Sequence, residues 1–468
     1  MPNSLIENAH ISSHPSASTL PFRGTAVIET HGCKLNQADS NVLARQFVEA
    51  GYRLVGSVAE ADVYVLNTCT VTATADAKAR QALNAARRSN PKAIIIAAGC
   101  YPQRAAQELA QLESVSLVVT NTDKQALVSL VTATREQSTR SKSDEPGNLL
   151  GQPATSRQDV TPFGRSRAMI KIQEGCNQVC AYCIVPKVRG RERSIPPERL
   201  VRQIDQQAEE GYQEVVLTGT QLGTYGFDIP GVSLSGLLRR ILNETSVPRL
   251  RVSSLQPQEI SPELLGLWND TRLCPHFHIP LQSGSDQILK AMRRRYSTQT
   301  FAAAVELVRK AVPDAGVTAD LIVGFPGEDE KEFRESRAFV RSMSFSDMHI
   351  FPYSQRPGTS AAYFKNQVPA PVKKERVAEM LALARQGFLE FRHRQLGTAR
   401  AVLWESSREQ DGVTVWSGLT DNYIRVYTEE ERISKGTITK SRLSSVEGDW
   451  VYAQPLSSYA DSASRGLE

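Results

Sequence analysis

The segment Glu174-Gly-Cys-Asn-Gln-Val-Cys-Ala-Tyr-Cys183 carries three cysteines, Cys176, Cys180 and Cys183, in the spacing C-x3-C-x2-C. The apolar run just before it, Ala168–Ile172, alternates in the manner of a β-strand. We therefore expect the three thiols on a short loop that leaves the carboxyl end of a strand. Three thiolates on such a loop can bind three irons of a four-iron cluster and leave the fourth iron open to another ligand.

Zinc is the alternative metal for this loop. Structural zinc sites take four ligands, often from two C-x2-C pairs. No fourth cysteine or histidine follows Cys183 at short range. A four-iron cluster with one open iron therefore accounts for three thiols better than zinc does.

A second set of cysteines lies in the first third of the chain. Cys33, Cys69 and Cys100 each follow an apolar, β-rich run, and two of them come directly after Gly32 and Gly99. Because the carboxyl ends of parallel strands meet at one edge of a sheet, we expect the three thiols to converge. Free cysteines are also common in protein cores. Three at the same topological place nevertheless favour a second iron–sulfur cluster.

Composition places this 468-residue chain among ordinary globular proteins, with 40% hydrophobic and 22% charged residues. The formal net charge of +5 suits an anionic partner without demonstrating one. Seven cysteines at uneven spacing do not form a disulfide pattern. Neither a membrane-length apolar run nor the apolar core of a signal peptide is present, so we expect a cytoplasmic protein without a membrane partner.

Strands and helices alternate in two separate parts of the chain. Four predicted strands within residues 24–134 indicate an N-terminal doubly wound parallel sheet. Six strand–helix units within residues 162–393 predict a partial (β/α)6 barrel with its functional groups at the strand carboxyl ends. Five short alternating runs within residues 394–456 predict a small antiparallel β-barrel. The remaining segments are expected to be a disordered tail at 1–23, a linker at 135–161 and a second tail at 457–468.

The C-x3-C-x2-C loop, with the aromatic Tyr182 before its third cysteine, resembles the radical S-adenosylmethionine (AdoMet) superfamily. Its combination with three strand-end cysteines and a C-terminal β-barrel is similar to the methylthiotransferases, over about Gly24–Pro455. Three further stretches match that family: His278–Gly284, Ala319–Glu328 and Phe351–Thr359. The C-terminal barrel resembles the TRAM domain, an RNA-binding module.

This resemblance implies a radical AdoMet tRNA methylthiotransferase that uses two 4Fe-4S clusters and AdoMet. Such an enzyme attaches a methylthio group to C2 of a modified adenosine at tRNA position 37, next to the anticodon, and consumes two AdoMet molecules. It needs tRNA, a sulfur source and an electron donor of the flavodoxin or ferredoxin type. The stretches His31–Asp39 and Leu217–Gly226 look like the branch that acts on N6-threonylcarbamoyladenosine.

Three alternatives to that activity remain open from the sequence. The same chemistry within the family is carried out on isopentenyladenosine in tRNA or on an aspartate of a ribosomal protein. A different class of protein, a non-catalytic RNA-binding protein stabilised by zinc, would hold zinc in place of iron. Metal analysis after anaerobic purification separates this last alternative from the enzyme, which should carry about eight irons per chain.

Four residues are expected to contact AdoMet. Tyr182 is one by resemblance, and Gln221 follows the second barrel strand, where the superfamily contacts the methionine amine. Ser254 and Gln282 lie at later strand ends, in reach of the ribose or the carboxylate. Turn formation is the alternative role for these positions, since such residues are common in turns.

Two basic runs are candidates for contacts with RNA phosphates. One comprises Lys187, Arg189, Arg191 and Arg193, directly after the cysteine loop, and the other is Arg293–Arg295. A solvated charged surface is the alternative for both runs. Their positions near the predicted site favour phosphate contact only modestly.

The C-terminal barrel does not have the charge of a typical RNA-binding surface. Residues 394–455 hold eight basic and nine acidic side chains, a net charge of −1. RNA binding there would have to use one face, or aromatic side chains such as Tyr423. Trp404 and Trp416 are equally compatible with a role in the barrel core.

Three remaining residues in the barrel domain carry groups that could serve catalysis. Cys274 is the seventh cysteine, and we interpret it as a core thiol because two triplets account for the other six. His276 and His278 alternate along one predicted strand, so one of them should face the barrel interior. Structural packing is the expected role of both.

Overall fold

The computed structural model describes residues 22–140 and 166–456, so nearly all of the predicted tails and most of the predicted linker lie outside the described residues. The first domain is a five-stranded parallel sheet with the order β2-β1-β3-β4-β5. Each face of the sheet buries its own apolar core. Its elements are β1 (Gly24–Thr30), α1 (Lys34–Glu49), β2 (Tyr52–Leu54), β3 (Val63–Thr68), α2 (Ala73–Ser89), β4 (Ile94–Gly99), α3 (Cys100–Ala110), β5 (Leu117–Thr120) and α4 (Leu127–Arg140).

Two elements of this domain differ from the sequence prediction. Strand β2 was not expected, because its three residues are too few to show an alternating pattern. Helix α4 continues to Arg140, six residues beyond the predicted start of the linker at 135. The four expected strands are all present, and the doubly wound parallel sheet is confirmed.

The central domain contains the six parallel strands that the sequence predicts, arranged in two groups of three, β10-β9-β6 and β11-β12-β13. Apolar side chains of the strands and of the surrounding helices share one large core. A short hairpin of β7 and β8 flanks the cysteine loop. The elements are β6 (Arg167–Lys171), β7 (Gln173–Glu174), α5 (Val185–Arg189), β8 (Arg193–Ser194), α6 (Pro197–Glu209), β9 (Glu214–Thr218), α7 (Leu234–Glu244), β10 (Arg249–Val252), α8 (Pro262–Leu265), β11 (His276–His278), α9 (Asp286–Ala291), α10 (Thr298–Ala311), β12 (Gly316–Val323), α11 (Glu330–Met343), β13 (Asp347–Pro352) and α12 (Ala370–Gln395).

The C-terminal domain is a closed five-stranded barrel with the order β14-β15-β16-β18-β17. The predicted antiparallel pairing holds for all neighbours except β16 and β18, which are parallel. Trp404 is fully buried in the barrel core and Trp416 packs against that core, so both are core residues. The strands are β14 (Ala399–Gln410), β15 (Val413–Thr420), β16 (Arg425–Thr428), β17 (Ile438–Glu447) and β18 (Trp450–Pro455).

Both outer domains pack against the central domain. Helix α1 packs against β6, which is an edge strand of its group. The C-terminal barrel docks at the amino ends of the central strands, where Arg249 and Arg251 donate hydrogen bonds to the carbonyls of Leu419 and Asp421. Both arginines also pair with the fully buried carboxylate of Glu214.

Within residues 22–140 and 166–456, every helix is too short or too polar to span a bilayer.

Candidate functional site: two cysteine triplets

The backbone around Cys176, Cys180 and Cys183 is held by one hydrogen bond to the segment that follows the loop and by one within the loop. The Cys176 N–H donates to Gly190 O at 3.1 Å, and the Cys183 N–H donates to Cys180 O at 3.1 Å. Gly175 has a φ of +80°, and a Cβ there would lie 2.0 Å from the carbonyl oxygen of Arg191. Only glycine therefore allows the loop to start so close to the segment that follows it.

The three thiols of this loop lie close together in a partly buried pocket. Burial raises the pKa of Cys183 to about 12, and the nearby Cys180 and Cys176 add to the increase. Burial also raises the pKa of Cys176. Arg294 donates a hydrogen bond to the Cys180 sulfur at 3.4 Å. Such thiols stay protonated until a metal displaces their protons, so the donor set fits a thiolate-bound cluster.

A cavity opens directly over this loop, and the four residues expected to contact AdoMet, Tyr182, Gln221, Ser254 and Gln282, all line it. The hydroxyl of Thr220 also lines this cavity, and it is buried without a hydrogen-bond partner among the described residues. A buried hydroxyl group normally has a hydrogen-bond partner. The cavity therefore fits a polar ligand, and AdoMet contact by the four residues stays a prediction.

Sequence reasoning missed three further residues of the cavity wall. Gln256 and Glu259 hold the two ends of the Gln221 amide, since Gln256 donates to its oxygen and Glu259 accepts from its nitrogen. Arg294 donates to the side-chain oxygen of Gln256 at 3.1 Å. The first two follow the third barrel strand, and that position is the signal that would have identified them.

The second triplet forms where β1, β3 and β4 end together. The register pairs Thr30 with Asn67 and Thr68 with Gly99, so the three strands finish at the same edge of the sheet. Cys33 precedes α1, Cys69 follows β3, and Cys100 begins α3. The common strand-end position that the sequence predicts for these cysteines is therefore present.

The thiols of the second triplet interact with one another. Burial raises the pKa of Cys69 to about 12, and the neighbouring Cys33 and Cys100 both contribute to the increase. A Cβ on Gly32 would lie 2.5 Å from Cys69 Cβ and 3.2 Å from its sulfur. The glycine before Cys33 therefore lets two strand ends approach closely, and this donor set also fits a thiolate-bound cluster.

Both triplets lie near helix α5, which begins two residues after Cys183. Cys100 packs against Ile184 and Val188 at this helix. Asn121 donates one hydrogen bond to the Cys100 sulfur at 3.5 Å and another to Val188 O at 2.8 Å. Residues scattered through the first domain therefore meet the segment that directly follows the contiguous triplet.

A buried ion-pair cluster joins the two domains beside these cysteines. Asp39 of α1 accepts hydrogen bonds from Lys124 of its own domain and from Lys171 and Arg189 of the central domain. Burial alone would raise the pKa of Asp39, but the three cations outweigh it and hold that pKa well below its usual range. Arg189 also pairs with Glu174 at 2.7 Å, at the start of the cysteine loop.

These contacts correct the prediction for the two basic runs. Arg189 is buried and paired with Asp39, so it does not face a phosphate group. Arg294 turns inward to the Cys180 sulfur. Neither pairing shows in the local sequence, because both partners come from distant segments. The other members of the two runs are exposed: Lys187, Arg191, Arg193, Arg293 and Arg295.

Tyr423 is not an exposed aromatic on the C-terminal barrel, so its proposed contact with RNA is wrong. Its ring stacks on His276 at a centroid distance of 4.1 Å, and Arg251 lies over it at 5.1 Å. His276 and Cys274 are each 2% exposed, which agrees with the packing role expected for both. Tyr423 therefore closes the amino end of the central barrel.

Comparisons with known proteins agree with this architecture. Residues 25–120 match the "Uncharacterized protein family UPF0004", and residues 170–340 match the "Radical SAM superfamily". Among solved structures, the radical AdoMet methyltransferase TsrM from Kitasatospora setae gives a TM-score of 0.53 at 14% identity. That match covers 72% of this chain and 76% of TsrM, and it shows a shared fold.

Curated relatives match nearly the whole chain. The threonylcarbamoyladenosine tRNA methylthiotransferase MtaB of Bacillus subtilis is 37% identical over 90% of this chain and 93% of its own length. MtaB of Aquifex aeolicus is 40% identical over 86% of this chain and 96% of its own. A tRNA-2-methylthio-N(6)-dimethylallyladenosine synthase of Syntrophobacter fumaroxidans is 36% identical over 84% and 87%. With its two converging cysteine triplets, this chain belongs to the radical AdoMet methylthiotransferase family of enzymes.

Proposed function

We propose that this enzyme attaches a methylthio group to C2 of N6-threonylcarbamoyladenosine at position 37 of tRNA. The convergence of the scattered triplet on the segment after the contiguous one carries this proposal, because the reaction needs two metal sites beside one substrate. Two relatives named for threonylcarbamoyladenosine are 37% and 40% identical to this chain and a third is 34% identical, whereas four relatives named for dimethylallyladenosine are 32–36% identical.

The chemistry explains why two sites are needed. The C2 hydrogen of adenine is unactivated, so no ordinary side-chain base removes it and a cofactor must supply a radical. Cys176, Cys180 and Cys183 would hold a four-iron cluster, which together with AdoMet would supply that radical. Cys33, Cys69 and Cys100 would hold a second cluster, which would supply a place for the sulfur.

The residues of this chain provide positions for the two groups and for their ligands. Gln221, fixed by Gln256 and Glu259, is proposed to bind the methionine portion of AdoMet. Tyr182, Ser254 and Gln282 are proposed to line the rest of the AdoMet site. We place the enzyme in the cytoplasm with its tRNA. A sulfur source and a flavodoxin- or ferredoxin-type electron donor are further proposed partners.

Mass spectrometry of tRNA nucleosides from a deletion strain tests this proposal. We expect loss of the methylthio form of N6-threonylcarbamoyladenosine and its return when the intact gene is supplied. Loss of the methylthio form of dimethylallyladenosine (isopentenyladenosine) would assign the chain to the other tRNA branch. An unchanged nucleoside profile with a changed ribosomal protein mass would assign it to the aspartate branch. Colourless, zinc-containing protein would contradict the enzyme.

A further inference from the structure

Three neighbouring strands of the central barrel bring together His278, Asp320 and His349. The register pairs Asp320 of β12 with His349 of β13, and His278 of β11 with Thr318 of β12. Asp320 Oδ2 lies 3.2 Å from His278 Nε2, and Asp320 Oδ1 lies 3.0 Å from His349 Nδ1. The two imidazoles therefore share one carboxylate, and neither carboxylate oxygen is left without a partner.

This cluster faces the interior of the partial barrel. Met348 and Ile350, which alternate with His349 along β13, pack into the core between the strands and the helices. Side chains alternate between the two faces of a strand, so His349 and Phe351 point to the opposite, inner face. Phe351 is 43% exposed, and its ring lies 6.3 Å from that of His349.

The cluster also adjoins the wall of the cavity over the contiguous triplet. Gln282, which lines that cavity, forms backbone hydrogen bonds with Asp320 O at 2.8 Å and Ile322 N at 2.9 Å. Asp320 is therefore held directly beside a residue of the cavity wall, on a strand that also carries the contact with His349.

His349 presents a free hydrogen-bond donor to this space. The Nδ1 atom of His349 is hydrogen-bonded to Asp320, while its Nε2 atom has no hydrogen-bond partner within the described part of the chain. Its side chain is 61% exposed. The hydrogen bond with Asp320 raises the pKa of His349 and so favours the charged, doubly protonated ring. An outward N–H on a cationic ring is suited to an anionic oxygen.

We propose that His349, oriented by Asp320, binds the carboxylate of the threonylcarbamoyl group of the substrate adenosine. The inference rests on the function proposed above and names a residue that distinguishes its substrate. A dimethylallyl group has no anionic oxygen, so a cationic donor at this position favours only the threonylcarbamoyl base. Phe351, on the same face, offers an apolar surface to the adenine ring.

Binding of anticodon stem-loop RNAs to the full chain tests this assignment. Three RNAs are compared, with N6-threonylcarbamoyladenosine, dimethylallyladenosine or plain adenosine at position 37. For His349→Gln we expect about tenfold weaker binding of the threonylcarbamoyl RNA, equivalent to the loss of one charge-assisted hydrogen bond, and unchanged binding of the others. His349→Lys keeps a cation there and should restore part of the preference.

The control variant is His393→Gln, which changes an exposed histidine in the last turn of α12. Circular dichroism and iron content should match the unaltered protein in every variant. Equal weakening for all three RNAs, or an unaltered preference in His349→Gln, would overturn the inference and leave the proposed function intact. No preference for the threonylcarbamoyl RNA in the unaltered protein would overturn both.

One further measurement concerns a metal ion. The nearest ligand atoms of His278, Asp320 and His349 lie within 4.8 Å of one another, a spacing that also suits a divalent cation. Elemental analysis should find no zinc or manganese that is lost in His349→Gln. One such ion per chain would overturn the carboxylate assignment, because the imidazole nitrogens would then coordinate the metal.

Discussion

Each cysteine triplet brings three thiols together, but the two triplets are assembled in different ways. Cys176, Cys180 and Cys183 lie within one loop, and that loop is closed by hydrogen bonds between nearby segments. Cys33, Cys69 and Cys100 come from three strand ends, and they meet only because the parallel sheet finishes those strands together. The contiguous triplet therefore depends on the geometry of one loop. The dispersed triplet, Cys33, Cys69 and Cys100, depends on the strand register of the whole first domain.

The largest expected effect comes from removing one ligand of each triplet. Cys183→Ala should abolish AdoMet cleavage and product formation, because the contiguous triplet is proposed to hold the cluster that binds AdoMet. Cys69→Ala should retain AdoMet cleavage and lose all methylthio product. The measurements are 5′-deoxyadenosine release, nucleoside mass spectrometry and iron content, with about four irons per chain expected for either variant. Methylthio product from Cys69→Ala would contradict the role of the dispersed triplet.

The next largest effect concerns the ion-pair cluster between the domains. Asp39→Asn leaves Lys124, Lys171 and Arg189 without their shared buried anion, so we expect a loss of about 3–5 kcal/mol in local stability. Native-state hydrogen exchange of the α1 amides measures this free energy. The iron bound by the dispersed triplet should fall, while that bound by the contiguous loop remains.

The matched control is another ion pair between the same two domains. Arg45 of α1 pairs with Glu210 at 2.8 Å, but both side chains are partly exposed to solvent. Arg45→Gln should change the same exchange free energy by less than about 1 kcal/mol. Equal effects of Arg45→Gln and Asp39→Asn would show that burial of the Asp39 cluster is not what holds α1 in place.

A smaller effect is expected at the glycine before Cys33. Gly32 has a φ of +115°, and an added Cβ would meet Cys69 Cβ at 2.5 Å, so Gly32→Ala should cost about 1–3 kcal/mol. The variant should lose iron from the dispersed triplet only. Gly56→Ala is the control, since a Cβ there meets nothing within 4 Å. Full iron content in Gly32→Ala would contradict the close approach of the two strand ends.

The smallest expected effect is a dependence on pH. The pKa of Asp39 is lowered in the folded protein, so its stabilisation is complete above the unfolded-state value of about 3.9 and is lost below it. The difference in α1 exchange free energy between the unaltered protein and Asp39→Asn should be constant from pH 7 to pH 5. It should fall by less than about 1 kcal/mol at pH 4. An increase in this free-energy difference at lower pH would contradict the prediction.

Much of this architecture follows from local patterns. Alternating apolar runs were enough to predict the six barrel strands and four of the five strands of the first sheet. They could not predict β2, which is too short, or the parallel pairing of β16 with β18, which joins strands that are not successive in the chain. Pairing between distant strands is decided by closure of the barrel and not by either strand alone.

The same division applies to individual side chains at the site. Spacing alone identified six cysteines as candidate ligands, and strand ends indicated the residues that line the cavity. The directions of Arg189, Arg294 and Tyr423 were not predictable, because each side chain is turned inward by a partner from another segment. A charged or aromatic residue has the same local pattern whether it meets solvent or a distant group.

By itself, the sequence identified the candidate ligands: two sets of thiols that follow the ends of predicted strands. Only the tertiary structure decided that Cys100 packs against the segment after the contiguous triplet, and that His349 and Asp320 meet across neighbouring strands. The physical reason is that a short loop can bring together only residues that are close in the sequence. Contacts across domains form through burial and charge pairing, and their geometry exists only after the chain has folded.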